Sequence, residues 1–219
     1  MRVMRTSPAA TALAAAVIGF VLLSAFAAAT DRFPGDLWLT ERAQDIDWVA
    51  FSRVVDVTED IGDDPYVIVI WIAAGAAFYF LGGWTAPALF ALAGALRMIN
   101  PLLKEIVGRP RPSADLVEFA EQPSTMSFPS GHSATAFVLF AVIFYFTTVY
   151  VLNPAPRLVI QVACMWMIVV VGIERVYSGV HWPSDVIGGY WLGALIVAVI
   201  VILHRYLIRR GMATSPTDG

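Results

Sequence analysis

The chain has 219 residues, 58% of them hydrophobic and only 14% charged, with a formal net charge of −3. That balance excludes an ordinary soluble domain, in which about a quarter of residues are charged, and it offers no basic surface for nucleic acid. The single cysteine, Cys164, has no partner for an internal disulfide.

Six apolar stretches recur along the chain, at about 9–29, 65–82, 84–103, 133–152, 157–174 and 186–207. Each approaches the roughly 20 residues that a helix needs to cross a bilayer. They predict an all-α, polytopic membrane bundle of about six transmembrane helices. The first stretch, within 1–30, follows Arg2 and Arg5 and ends in Ala27-Ala28-Ala29, partly like a secretory signal. Its apolar run is longer than a signal core, so a retained helix is expected. The next segment, 31–64, is acidic and carries Trp38 and Trp48. From Asp36 to Val57 its apolar residues have helical spacing, which predicts an amphipathic helix at the membrane interface.

The bundle proper is expected over 65–210. Gly82-Gly83 joins the second and third spans, and Asn153-Pro154-Ala155-Pro156 joins the fourth and fifth. The third and fourth are joined by the longer Lys104–Ser130 segment, rich in proline. Loops of this length often carry function. The polar tail 211–219 is expected to be disordered.

Arg2, Arg5, Arg157, Arg205, Arg209 and Arg210 would share one side of the membrane. Arg32, Arg42, Arg53, Lys104, Arg109, Arg111 and Arg175 would share the other. If Lys104, Arg111 and Arg175 have chemical duties, the remaining bias makes the first set cytoplasmic. The expected protein is a multi-pass cell-membrane protein whose site lies on the extracytoplasmic face. Lys104, His132, Arg175 and Asp185 all fall at span ends on that one face, so a single site can form there.

Three cations on one face suit a phosphate dianion, and arginine can bind it through two parallel hydrogen bonds. Lys104, the only lysine, sits at the end of a span. Pro129-Ser130-Gly131-His132 opens the fourth span, with Ser130 as the expected N-cap. Amides of a helix's first turn attract anions, and Gly131 permits close backbone approach. His181 and Asp185 are four apart with Pro183 between them. The helix should therefore start at Pro183 or Ser184, with Asp185 in its first turn. A carboxylate there can accept an imidazole N–H and fix the ring's tautomer. With two histidines, one can attack phosphorus while the other protonates the leaving oxygen. A metal is the competing use of His132, His181 and Asp185, but three nearby cations would repel it. His204 stands alone near the opposite end of the sixth span and is expected to be interfacial or structural.

Lys104-x6-Arg111-Pro112, Pro129-Ser130-Gly131-His132 and Arg175-x5-His181-x3-Asp185 together resemble the three signature motifs of the type 2 phosphatidic acid phosphatase superfamily. Their order, spacing and positions at span ends all agree, over roughly Pro65 to Arg210. The six-span plan is similar to its integral-membrane branch, which includes bacterial undecaprenyl-diphosphate and phosphatidylglycerophosphate phosphatases. The resemblance implies attack by His181 to form a phosphohistidine, orientation of His181 by Asp185 and proton donation by His132. Lys104, Arg111, Ser130, Gly131 and Arg175 would hold the phosphoryl oxygens. No metal or other cofactor is implied, and the partner is a lipid phosphate in the bilayer. Undecaprenyl diphosphate is the favoured substrate. Phosphatidylglycerophosphate, phosphatidate and phosphotransfer to an acceptor lipid are the alternatives. A vanadium-dependent haloperoxidase has a similar pocket but is mostly larger and soluble.

The chain departs from the family at Glu174, where a serine is usual. Glu174 is expected to pair with Arg175 or Arg111, or to weaken phosphate binding. Arg97 lies two helical turns before Lys104 inside a span. It is expected to extend the cationic wall or to pair with Glu174.

Overall fold

A computed structural model describes residues 8–46, 66–119 and 123–213. Among them the chain forms eight helices: α1 (Pro8–Ala29), α2 (Asp36–Gln44), α3 (Tyr66–Gly82), α4 (Thr85–Arg97), α5 (Ile99–Val107), α6 (Gly131–Tyr150), α7 (Pro154–Tyr177) and α8 (Pro183–Arg209). α4 and α5 follow one another through Met98 as one apolar span of 23 residues. Five helical segments are long and apolar enough to cross a bilayer, and α3, at 17 residues, is a shorter apolar helix. The protein is a multi-pass membrane helical bundle.

The helices run further than the apolar stretches alone foretell. The third span continues to Val107, so Lys104 lies in its last turn rather than beyond it. The fifth continues to Tyr177 and takes in Arg175. Polar residues are good helix formers where their side chains find partners, so hydropathy ends before the hydrogen-bonded helix does.

α6 is the central helix and packs against α3, α4, α5, α7 and α8. Val138, Leu139, Val142 and Phe146 recur at helical spacing on α6 and are completely buried. They meet Leu192, Ile196 and Ile200 of α8. Phe78, Phe90 and Phe146 cluster at ring-centre distances of 5.5–5.8 Å, joining α3, α4 and α6. On α7, by contrast, Val159, Val162, Trp166, Val169 and Ile173 are all exposed. An outward stripe of such side chains is at home against lipid tails.

Gly189 fixes the approach of α8 to the start of α6. A Cβ at this position would lie 2.5 Å from the carbonyl oxygen of Ser130. Small residues let helix backbones meet this closely within a membrane. The consequence is local to the site: the first turn of α8 lies beside the first turn of α6.

α1 packs against α8 and α5, and the Trp191 indole N–H donates to the carbonyl of Ala16 at 3.1 Å. His204 is not alone. It is fully buried, with Nδ1 and Nε2 each 2.9 Å from a tyrosine hydroxyl, of Tyr145 and Tyr150 respectively. Its role is structural, because a buried imidazole requires both ring nitrogens to be satisfied.

The predicted interfacial helix is realised in the described residues only as α2, Asp36–Gln44. Trp38 and Leu39 are exposed, whereas the residues turned inward are polar: Asp36 and Thr40. Trp48 and the rest of that expected helix lie outside the described residues, as do Arg2, Arg5, Arg53 and the tail from residue 214.

Candidate active site

Five helices and two loops converge on a cavity of about 400 Å³. Its wall includes Lys104 from α5, Arg111 from the following loop, and Gly131 and His132 from α6. Arg175 from α7 and His181 from the α7–α8 turn complete the polar side. Arg97, Val67 and Met98 continue the wall into the apolar layer. The cavity therefore has the polar floor and apolar flank that a lipid headgroup site needs.

The helices place these groups for local reasons. Ser130 caps α6, its hydroxyl accepting the Ser133 N–H at 3.4 Å and the Ser133 hydroxyl at 2.9 Å. Ser130 itself is completely buried behind the wall, and its N–H donates to the carbonyl of Asp185 at 3.0 Å. A Cβ on Gly131 would come within 3.2 Å of Asn100 Oδ1, so the bare backbone is what lets α5 and α6 meet. α8 starts at Pro183, with Asp185 in its first turn, as the proline predicts.

Asp185 holds more than the one partner foreseen for it. Its Oδ2 lies 3.5 Å from His181 Nδ1. The same oxygen accepts the Trp182 N–H at 2.9 Å and the Ser127 hydroxyl. Its Oδ1 accepts from Arg109 at 2.6 Å. With a carboxylate at Nδ1, the neutral ring carries its proton there and has its lone pair at Nε2. Arg111 stands on that side, its guanidinium nitrogen 3.3 Å from Nε2. An arginine N–H at that distance can donate to the Nε2 lone pair.

The cations are held by carbonyls and one carboxylate. Lys104 donates to the carbonyl of Met126 at 2.8 Å. Arg111 donates to the carbonyls of Thr125 at 2.7 Å and Val180 at 2.6 Å, and to the Thr125 hydroxyl at 3.0 Å. Arg175 pairs through two nitrogens with Glu174, and both are buried. Of the pairings expected for Glu174, the one with Arg175 is therefore formed. A carboxylate bound this way lowers the net charge of the cation wall rather than facing Arg111. Arg97 is not paired with Glu174. Its guanidinium bonds the Thr135 hydroxyl at 3.4 Å and lies 5.9 Å from the Trp71 ring centre.

The largest feature that the sequence reading did not find is a buried polar cluster behind His181. Arg109, completely buried, bridges Asp185 at 2.6 Å and Asp36 at 2.9 Å. It also donates to Ser184 at 2.8 Å, and its guanidinium lies 4.7 Å from the Phe33 ring centre. Asp36 in turn accepts the Ser184 N–H at 3.0 Å and its hydroxyl at 2.6 Å. So α2 is tied to the first turn of α8. Gln44 adds a second tie, donating to the carbonyls of Glu118 at 2.6 Å and Tyr177 at 3.0 Å.

Burial dominates the protonation of His181. It pulls the imidazole pKa down to about 3, against the opposing pull of the Asp185 carboxylate. Lys104 and Arg111 add to the lowering. Because the folded-state value lies below that of a free histidine, the ring stays neutral as pH falls through 6.5. The expected result is a His181 ring whose nitrogen NMR shifts do not change between about pH 5 and pH 8 in the ligand-free protein. Assignment would use a His181→Ala sample. A titration midpoint near 6.5 would contradict the burial of the ring.

A family model described as the PAP2 superfamily matches residues 82–209, more than half of the chain. The chain belongs to the PAP2 superfamily. PAP2 relatives agree along most of its length. It is 35% identical over 153 residues to phosphatidylglycerophosphatase B of Bacillus subtilis, covering 68% of this chain and 73% of that protein. It is 27% identical over 209 residues to the lipid A 1-phosphatase of Rhizobium etli, covering 83% and 82%. A solved structure of a transmembrane PAP2-type phosphatidylglycerolphosphate phosphatase from Bacillus subtilis superposes with a TM-score of 0.73 at 26% identity. That match covers 89% of this chain and 96% of the other.

Proposed function

We propose that this chain, a membrane lipid phosphatase of the PAP2 superfamily, removes the terminal phosphate of undecaprenyl diphosphate through a phosphohistidine at His181. The observation that carries the reading is the His181 ring itself. Its Nδ1 lies 3.5 Å from the Asp185 carboxylate, and its Nε2 is in hydrogen-bond contact with Arg111 at 3.3 Å, at the edge of a cavity also lined by His132, Lys104 and Arg175.

His181 Nε2 attacks phosphorus, and the bond from phosphorus to the lipid's leaving oxygen breaks. The electron pair goes to that oxygen, which takes a proton from His132. Asp185 accepts the Nδ1–H throughout and stabilises the ring as it gains charge. Lys104, Arg111, Arg175 and the amides around Gly131 hold the three equatorial oxygens. Water then attacks the phosphohistidine, its proton passing to the now basic His132, and inorganic phosphate leaves. No metal ion or other cofactor takes part. The arginine distribution supports an extracytoplasmic site in the cell membrane, with the lipid tail held between helices.

Phosphatidylglycerophosphate is the second reading. The name and 35% identity of the Bacillus subtilis relative favour it. Phosphate release by the purified, detergent-solubilised protein in EDTA separates the readings. Undecaprenyl diphosphate, phosphatidylglycerophosphate and phosphatidate would be compared side by side. The diphosphate is expected to show the highest kcat/KM. A faster phosphatidylglycerophosphate would replace it as the substrate. No phosphate release, with the phosphate appearing instead on an added acceptor lipid, would make the enzyme a phosphotransferase.

A further inference from the structure

The proposed chemistry leaves one cation of the cavity without a duty. Arg97 lies in the middle of the α4–α5 span, 12 residues from its start at Thr85. A charge at that depth is costly unless it is paired or used. No carboxylate among the described residues is in ion-pair range of Arg97. Its contacts are the hydroxyl of Thr135 at 3.4 Å and the face of Trp71 at 5.9 Å. Both are weak substitutes for an anion. Yet Arg97 and Thr135 line the same cavity as Lys104, His132 and His181.

Position decides what the anion is. Arg97 precedes Lys104 by seven residues, so it lies on a similar helix face about 10 Å deeper in the membrane. Thr135, its partner, is three residues past His132 on α6, again toward the bilayer interior. Going inward from His181, the cavity therefore meets the proposed proton donor first and the guanidinium next. A substrate lying in this direction presents its terminal phosphate, then its leaving oxygen, then whatever joins that oxygen to the tail.

We infer that Arg97 binds a second phosphate group of the substrate, the one that stays on the lipid when the terminal phosphate is removed. The inference rests on the phosphatase reading above and makes Arg97 a specificity-determining residue. In a lipid diphosphate the second phosphate carries the leaving oxygen directly, so its negative charge grows as the P–O bond breaks. In phosphatidylglycerophosphate the second phosphate is a phosphodiester one glycerol away. Phosphatidate has none. Arginine suits either anion through its fork of donors.

The test compares kcat/KM of wild-type, Arg97→Gln and Arg97→Lys enzymes on undecaprenyl diphosphate, phosphatidylglycerophosphate and phosphatidate. In Arg97→Gln the ratio of diphosphate to phosphatidate efficiency is expected to fall at least tenfold, with partial recovery in Arg97→Lys. A parallel fall for phosphatidylglycerophosphate assigns the phosphodiester to the same site. A fall confined to the diphosphate assigns the directly bonded phosphate. The same loss on all three lipids, or no loss on any, would overturn the inference. Wild-type hydrolysis stands as the separate test of the phosphatase reading, so a flat response to Arg97→Gln counts against Arg97 alone. Should that variant not fold, inhibition of wild-type enzyme by inorganic pyrophosphate and by phosphate still decides. Pyrophosphate is expected to bind at least tenfold more tightly, and equal inhibition would overturn the inference.

Discussion

His181→Ala is expected to lower phosphate release by at least about a thousandfold, because a covalent route has no substitute for its nucleophile. That is about 4 kcal/mol of transition-state stabilisation. The fold should survive the change. Asp185 would keep Arg109, Ser127 and the Trp182 N–H as partners, so no buried carboxylate is stranded. Thermal unfolding in detergent, measured beside the rate assay, separates lost chemistry from lost structure. A well-folded variant that retains more than about one hundredth of the wild-type rate would remove His181 from the nucleophile's role.

Arg109→Leu should damage both stability and turnover. It would leave Asp36 and Asp185, each almost fully buried, without the cation that stands between them. Breaking a buried pair by deleting one partner costs about 3–5 kcal/mol, since the remaining charges lose their compensation. Relief comes by protonation, and a protonated Asp185 no longer supports the charge that His181 gains in the reaction. Turnover is therefore expected to fall further than stability alone explains. Lowering Asp36 to Asn in the same variant should restore part of the stability, because it removes one of the two stranded carboxylates. Urea or thermal unfolding of the single and double variants checks the sign. An Arg109→Leu protein as stable and active as wild type would mean that the cluster is ornamental.

The grouping of the candidate site residues was legible in the sequence because the polar residues there are concentrated. Lys104, Arg111, His132, Arg175, His181 and Asp185 are rare polar residues at the ends of apolar runs, and alternating span ends place them on one side. The start of α8 at Pro183 was legible too, because proline fixes the first turn of a helix. What hid was the support behind the site. Arg109 stands two residues before Arg111 and reads as one more loop arginine. Asp36 is one of several acids in its segment, and nothing local marks it as the one that turns inward. Their pairing links positions 73 residues apart, and only the close packing of α2 onto α8 brings them together. Helix ends were misplaced for a related reason. Lys104 and Arg175 extend their helices beyond the apolar runs, where a carbonyl and a carboxylate meet them, which hydropathy does not register. His204 shows the converse: its isolation in sequence says nothing of the two tyrosines that surround it.

The central claim is a covalent phosphohistidine at His181, formed without a metal. Rapid mixing of the enzyme with lipid diphosphate labelled with ³²P on its terminal phosphate, in EDTA, followed by an alkaline quench, tests it most directly. The account predicts label on the wild-type protein within the first turnover, stable in base, lost in acid and absent from His181→Ala. Steady phosphate release with no protein-bound label at any mixing time would contradict it, and would point to direct attack by water in the same cavity.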